Sequence, residues 1–257
     1  MKKIKSLSIM LLIIALTFSG CKKADNPTEP TTTTDITNPT GQPMPSFANQ
    51  TDVLGVMASV YYYMAAPIAG LPDIATSAAS AIFNNGVDAG AVTVNNYTLG
   101  KLNAGGKIYY MAPDVNNPMN QLNLSWNGAT HSWNVAGGNG IPAISGSVKS
   151  PFDYAVSQPT ANASVTKANG ITVKWTNTSS TTKTLVQIVN LKDKGQAKVY
   201  QELADNGSFT IPAADLSSFS GDCMLFVVKY NYNILTVSGK KYVLVSEVVK
   251  SINIKVN

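Results

Sequence analysis

Residues 223–237, CMLFVVKYNYNILTV, and 240–256, KKYVLVSEVVKSINIKV, are two long apolar-rich runs separated only by Ser238-Gly239. Short glycine-containing turns of this kind join antiparallel strands. Valine, isoleucine and tyrosine, which fill both runs, suit the pleated surface of a sheet. The chain upstream is punctuated in the same manner. ITVKWTN (171–177) alternates Ile171, Val173 and Trp175 with Thr172, Lys174 and Thr176, the period of a half-buried strand. KTLVQIVNL, AKVYQEL and GSFTIP continue the pattern, while AADLSSF (213–219) has room for only one helical turn. Short strands with turns between them describe a β-sandwich of immunoglobulin or fibronectin type.

The stretch 46–152 reads as strands too. DVLGVMASVYYYMA and DIATSAASAIFNNG flank the Pro/Gly cluster APIAGLPD, a turn or crossover. The alanine-rich part of the second run has helical propensity, but its turn-bounded setting favours a strand. GAVTVNNYTLGKL, KIYYMA, NQLNLSW and HSWNV follow, each bounded by Gly, Asn or Pro. The prolines of SVKSPFDYAVSQPT (147–160) mark the best boundary. The expected fold is therefore all-β, with two tandem β-sandwich domains at 46–152 and 153–257.

What precedes them is of another kind. Lys2, Lys3 and Lys5 are followed by an apolar run from Leu7 to Phe18 and by Ser19-Gly20-Cys21. A basic start, a short apolar stretch and small residues make a secretory signal over 1–20, too short in its apolar part to span a bilayer. Ser-Gly-Cys resembles a bacterial lipobox, with Phe18 in place of the usual aliphatic residue. The resemblance implies cleavage before Cys21 and lipidation of its thiol. Residues 21–45, rich in Thr and Pro, lack the apolar content for a core and are expected to be an extended tether.

Three features carry a wider resemblance: the lipobox with its tether, SAIFNNGVDAGAVTVNNYTLGKL (80–102) and WNVAGGNGIPAIS (133–145). Together they resemble a group of secreted lipoproteins of Bacteroidota. GSFTIPAADLSSFSGDCMLFVVKYN (207–231) resembles the immunoglobulin-like domain that often ends them. The resemblance implies a lipid-anchored β-sandwich protein of the cell envelope, most naturally on the outer membrane, facing the periplasm or the surface. It brings no catalytic residues.

Charge and residue inventory exclude several classes. All 19 basic residues are lysine; removing Lys2, Lys3 and Lys5 with the signal leaves 16 against 14 acidic residues. A near-neutral chain without arginine is a poor match for nucleic acid. The single histidine, His131, excludes a multi-histidine zinc site and HExxH. No Gly-x-Ser-x-Gly elbow or phosphate-binding glycine loop is present. GGNG (137–140) follows a strand with no helix after it and reads as a turn. No cofactor is implied. NNGVDAG (84–90) and PDVNNPMN (113–120) offer oxygen atoms for calcium but fit no EF-hand, so no metal ligands are assigned. With Cys21 lipidated, Cys223 stands alone in an apolar strand and reads as core.

Four features are weighed as sites. Paired carboxylates for glycoside hydrolysis would come from Asp114, Asp153, Asp193, Glu202, Asp205 and Asp222, which sit mostly in turn contexts where Asp bonds nearby backbone. Tyr61, Tyr62 and Tyr63 alternate in a strand, so one face presents tyrosine as a candidate contact for a glycan or protein. Cross-strand packing is the competing role. Trp175 shares its face with Ile171 and Val173 and is expected in the core. Last, a turn at Asn127-Gly128 in LSWNGATHSWNV pairs Trp126 with Ala129, Leu124 with His131 and Leu122 with Trp133. The tryptophans would then be core and His131 would lie near the rim of the same face. The leading functional reading is a non-enzymatic binding, adhesion or spacer lipoprotein. A polysaccharide hydrolase working through two carboxylates is the alternative.

Overall fold

The computed structural model describes residues 42–47, 52–64, 74–114, 121–193 and 196–257. Among them the strands are β1 (Val53–Met64), β2 (Ile74–Phe83), β3 (Val92–Val94), β4 (Tyr97–Thr98), β5 (Gly100–Ala104), β6 (Lys107–Ala112), β7 (Thr130–Val135) and β8 (Ile144–Lys149). They continue with β9 (Val156–Gln158), β10 (Ala163–Val165), β11 (Ile171–Trp175), β12 (Lys183–Asn190), β13 (Ala197–Ala204), β14 (Ser208–Ile211), β15 (Gly221–Val237) and β16 (Lys240–Val256). Single 3-10 turns at Lys167–Asn169 and Ala213–Leu216 complete the elements, the second being the helical turn expected from AADLSSF. The fold is all-β. The alanine-rich run 74–83 is a strand, held between β1 and β6.

The hairpin of β15 and β16 is the axis of the molecule. Each strand is 17 residues long, and they pair without interruption from Gly221↔Val256 to Val237↔Lys240. Ser238 and Gly239 close it with φ of 50° and 72°, the two positive values that a two-residue hairpin turn matching strand twist demands. On its other side β16 takes β1 in parallel along Lys241–Val249 and β10 in parallel at Ile254–Val256. The resulting large sheet runs β13-β12-β15-β16-β1-β2-β6-β5.

Two smaller sheets, β14-β11-β9 and β4-β3-β7-β8, lie on one face of the large one. Alternate residues of the long strands (Leu225 and Val227 on β15, Leu244 and Val248 on β16) share one buried cluster with Trp133 and Val135 of β7 and with Ile171, Val173 and Trp175 of β11. The architecture is thus two sandwiches side by side, built on one continuous sheet. This corrects the division at 152/153. The expected N-terminal domain contributes β1, β2, β5 and β6 to the same sheet as β12, β13, β15 and β16, and all the described residues fall in one compact unit, Thr34–Asn257. Pro151 lies in the passage from β8 to β9, between the two smaller sheets, and Pro159 in the passage from β9 to β10, which pairs with β16 of the large sheet. Hairpin strands of 17 residues are long enough to serve both halves.

The opposite face of the large sheet carries a second cluster, including Val56, Val60, Leu185, Val228, Tyr230, Val243, Val245 and Val249. Met44 and Phe47 pack against it, and Ser46 N–H donates to Gln201 Oε1 at 2.8 Å. The fold therefore begins by Gln42 and not at residue 46: the end of the expected tether supplies apolar side chains that this face buries. The signal, Cys21 and the rest of the tether lie outside the described residues.

Candidate functional site: an aromatic cluster around Lys250

Alternation along β1 sends Tyr61 and Tyr63 to the face that carries the smaller sheets and Tyr62 to the other, where it packs against the second cluster. The Tyr61 and Tyr63 rings meet edge-on with centroids 5.5 Å apart. Tyr61 stacks on Trp126 at 5.4 Å and 15°. Trp126 donates its indole N–H to Ser77 Oγ at 3.0 Å, which fixes the plane of the stack. Burial, then a hydrogen bond with Tyr63, pushes the Tyr61 hydroxyl up to about 12.

Lys250, from β16, enters this group. Its Nζ lies 3.5 Å from the Tyr63 ring centroid and 5.8 Å from those of Tyr61 and Tyr154. Asp153 Oδ1 is 2.6 Å from the same Nζ, and Asp153 Oδ2 accepts from the Tyr63 hydroxyl at 3.2 Å. Asp153 is held in turn by its N–H on the Trp126 carbonyl at 2.9 Å and by Asn177 Nδ2 on its own carbonyl at 2.7 Å. The Lys250 side chain is 14% exposed and that of Asp153 39%, so the pair opens to water on the carboxylate side. Phe152, next in the chain, is 48% exposed and lies over Gly128. The site thus combines aromatic faces, an ammonium whose direction is fixed, and a water-accessible carboxylate. Such a set can stack on a sugar ring or an apolar side chain and hydrogen-bond its polar edge.

Beneath it the charge pattern repeats in a dry setting. Tyr154 is buried and its hydroxyl donates to the Val227 carbonyl at 2.5 Å. The ring receives Lys250 on one hand and Lys229 on the other, the latter at 5.3 Å. Lys229 Nζ is 2.9 Å from Asp205 Oδ2, with both side chains 0% exposed, and it also donates to the Asn177 carbonyl. Asp205 Oδ1 accepts from Trp175 Nε1 at 2.6 Å and Oδ2 from the Ser179 N–H at 2.9 Å. Trp175 is core, as its strand pattern indicates. Burying an ion pair is costly unless further hydrogen bonds satisfy it; here they satisfy both Asp205 oxygens, while the Lys229 ammonium meets oxygen at Asp205 and Asn177.

The remaining candidates take structural places. His131 is 0% exposed, not at a rim; Leu122, Leu124, Trp126, His131, Trp133 and Val135 do share one buried side. The expected hairpin partner is different, however. Residues 121–126 are extended without a ladder, and β7 pairs with β3 and β8. His131 links the two arms, through Nε2 on the Ser125 carbonyl at 3.1 Å and through its ring, edge-on to Trp126 with centroids 4.8 Å apart. Cys223 is buried, which pushes its thiol up. In the 84–90 loop Asp88 is filled by donors: the Gly90 N–H, Lys101 Nζ and the Tyr110 hydroxyl, led by Lys101, hold its carboxyl down at about 2. Residues 115–120 of the other loop lie outside the described residues, among which no group of three or more His, Cys, Asp and Glu side chains is placed to hold a metal. Of the carboxylates, Asp153 pairs with Lys250, Asp205 with Lys229, and Glu202 accepts from the Tyr230 hydroxyl at 2.9 Å.

Sequence reasoning passed over Lys250 and Glu247, both in β16. Glu247 is fully buried on the second face with neither carboxylate oxygen hydrogen-bonded, and burial raises its carboxyl well above the usual range. The signal was there: YVLVSEVV is a near-continuous apolar run, the mark of a strand buried on both faces. Any charge inside such a run has no solvent to reach.

No protein-family model matches the chain, and no curated protein matches it. Among solved structures, the FN1–FN3 domains of chicken CNTN1 are similar at 10% identity over 67% of this chain, with a TM-score of 0.22. The match spans 62% of that structure, less than two thirds of its length. A structure from a 1.5-MDa bacterial ice-binding adhesin is similar at 15% identity over 81% of this chain and 67% of that one, with a TM-score of 0.20. Neither likeness is close enough to carry a conclusion. Among the described residues no helix is long and apolar enough to cross a membrane.

Proposed function

We infer that the chain is a non-enzymatic, lipid-anchored binding module of the cell envelope, and that the Tyr61–Tyr63–Trp126–Lys250–Asp153 cluster, with Phe152 at its margin, contacts a glycan or protein ligand. The observation that supports this most is Lys250, fixed 3.5 Å from the Tyr63 ring and 2.6 Å from a carboxylate that is itself open to water. A lysine needed only for solubility would extend into solvent. This one is oriented by two rings and a carboxylate, and a half-exposed phenylalanine stands beside it. The adhesive or spacer role rests on the same surface together with the anchoring expected at Cys21. Each candidate carboxylate that is ion-paired has its own lysine, which favours binding over hydrolysis.

The test is a glycan array and a pull-down of surface proteins with the mature chain, compared with Tyr63→Ala and Lys250→Met. Binding that falls at least tenfold in both variants, with unchanged melting, supports the site. Binding that survives both variants sinks it. Anchoring is tested separately: lipidated protein partitions into the detergent phase, since two or more acyl chains give stable attachment. A soluble mature protein with no acyl mass on Cys21 overturns the anchor.

A further inference from the structure

We propose that Lys229 and Asp205 condense into an intramolecular amide bond, a covalent cross-link inside the C-terminal sandwich. The ion pairs Lys101–Asp88, Lys198–Asp215 and Lys250–Asp153 each expose a side chain to water by at least a third, whereas Lys229 and Asp205 are both 0% exposed at 2.9 Å. Exclusion of water matters because it is the product that would reverse the step.

The surroundings fit an amide better than they fit two charges. An ammonium has three N–H donors, and Lys229 finds oxygen acceptors in Asp205 Oδ2 and the Asn177 carbonyl. An amide needs one acceptor for its single N–H, which the Asn177 carbonyl supplies. Its carbonyl, Oδ1, already accepts from the Trp175 indole N–H at 2.6 Å and has a second lone pair for the Ser179 N–H now on Oδ2. Every hydrogen-bond partner of the ion pair is thus reused by the product, and two buried charges vanish, with the desolvation penalty they carry.

The step balances on these atoms alone. Lys229 passes one proton across the 2.9 Å contact to Asp205 Oδ2. The freed nitrogen lone pair forms a bond to Cγ, and charge gathers on Oδ1, where the Trp175 N–H holds it as an oxyanion donor does. The Cγ–Oδ2 bond then breaks, and Oδ2 leaves as water with its proton and a second one from Nζ. Nothing is oxidised or reduced. Thr184, the cross-strand neighbour of Lys229, has a buried hydroxyl without a hydrogen-bond partner, and it offers the departing water a first station.

The experiment is mass spectrometry of the purified full chain under denaturing conditions, with a protease digest. The expected result is a mass one water below that of the processed sequence and a joined peptide carrying residues 205 and 229. Lys229→Arg keeps the positive charge but cannot condense in this manner, and it returns the full mass. Separate, unmodified 205 and 229 peptides from the wild type overturn the proposal, whatever the variant does. So does a water loss that persists in Lys229→Arg, since the dehydration then lies elsewhere.

Discussion

His131 Nδ1 lies 2.8 Å from Ser59 Oγ, and both side chains are 0% exposed. The ring's other nitrogen meets the Ser125 carbonyl, which can only accept, so Nε2 carries the proton and Nδ1 receives the serine hydroxyl. Ser246 Oγ, 3.2 Å away, completes the setting. A serine and a histidine in contact here hold β7 to the centre of the large sheet; no water or substrate reaches them. Burial holds the imidazole below its usual 6.5. The unfolded chain therefore takes up the proton first, and the stability that His131 contributes is present above about pH 6.5 and lost as pH falls. His131→Asn is expected to cost about 1–3 kcal/mol at neutral pH, and to flatten the acid limb of melting temperature against pH between 6.5 and 5. An unchanged acid limb would remove the histidine from that account.

Trp133 sits at 0% exposure between Val94 of β3 and Gly146 of β8 in the ladder. Trp133→Ala is expected to cost roughly 3–5 kcal/mol in denaturant unfolding, the usual loss for a large buried aromatic. Ligand binding at the Lys250 cluster is expected to survive under conditions where the variant stays folded. Retained stability with lost binding would instead make this tryptophan a contact residue.

Glu247 works against the fold at neutral pH. Its folded carboxyl is raised above the ordinary 4.5, so the native state binds its proton more tightly than the unfolded one. Its favourable share is complete below about pH 4.5 and is lost as pH rises toward the folded value. Glu247→Gln keeps the shape and cannot ionise. It is expected to melt several degrees higher at pH 7, where about 1 kcal/mol moves a chain of this size by ~2–4 °C. The difference should shrink to nothing near pH 4. A lower melting temperature at pH 7 would mean the carboxylate is charged and matched by a cation.

The shared sheet predicts that a fragment of 153–257 does not fold alone. It lacks β1, whose parallel ladder covers β16 from Lys241 to Val249 and shields Val243, Val245 and Val249. Circular dichroism through a thermal ramp checks this. A single cooperative transition in the fragment would show that β15, β12 and β14-β11-β9 suffice.

Strand content was legible because it is local. The period of two in 171–177, the glycine turn at 238–239 and the apolar runs of β15 and β16 each announce themselves within a few residues. Even the sorting of Leu122, Leu124, Trp126, His131 and Trp133 to one buried side follows from parity. Partners were not legible. Val60 lies beside Glu247, and Ser59 beside Ser246, through a parallel pairing that no turn encodes. The split at 152/153 failed for that reason: proline punctuation reports where the path of the chain bends, not which strands meet later. The Tyr61–Tyr63 alternation was readable, but Lys250 and Asp153, which give the tyrosines their chemistry, come from distant elements.

Ser59 and Val245, in contact through a side chain on the shared sheet, are 186 positions apart. A polypeptide made N-terminus first delivers β1 and β2 long before the strand that covers them. Until β16 arrives, β1 has a vacant edge beside its valines and tyrosines. For the time that interval takes, the edge is open to pairing with any other strand within reach. Slowing the delivery of β16, with no contact weakened in the finished molecule, is therefore expected to make this chain aggregate.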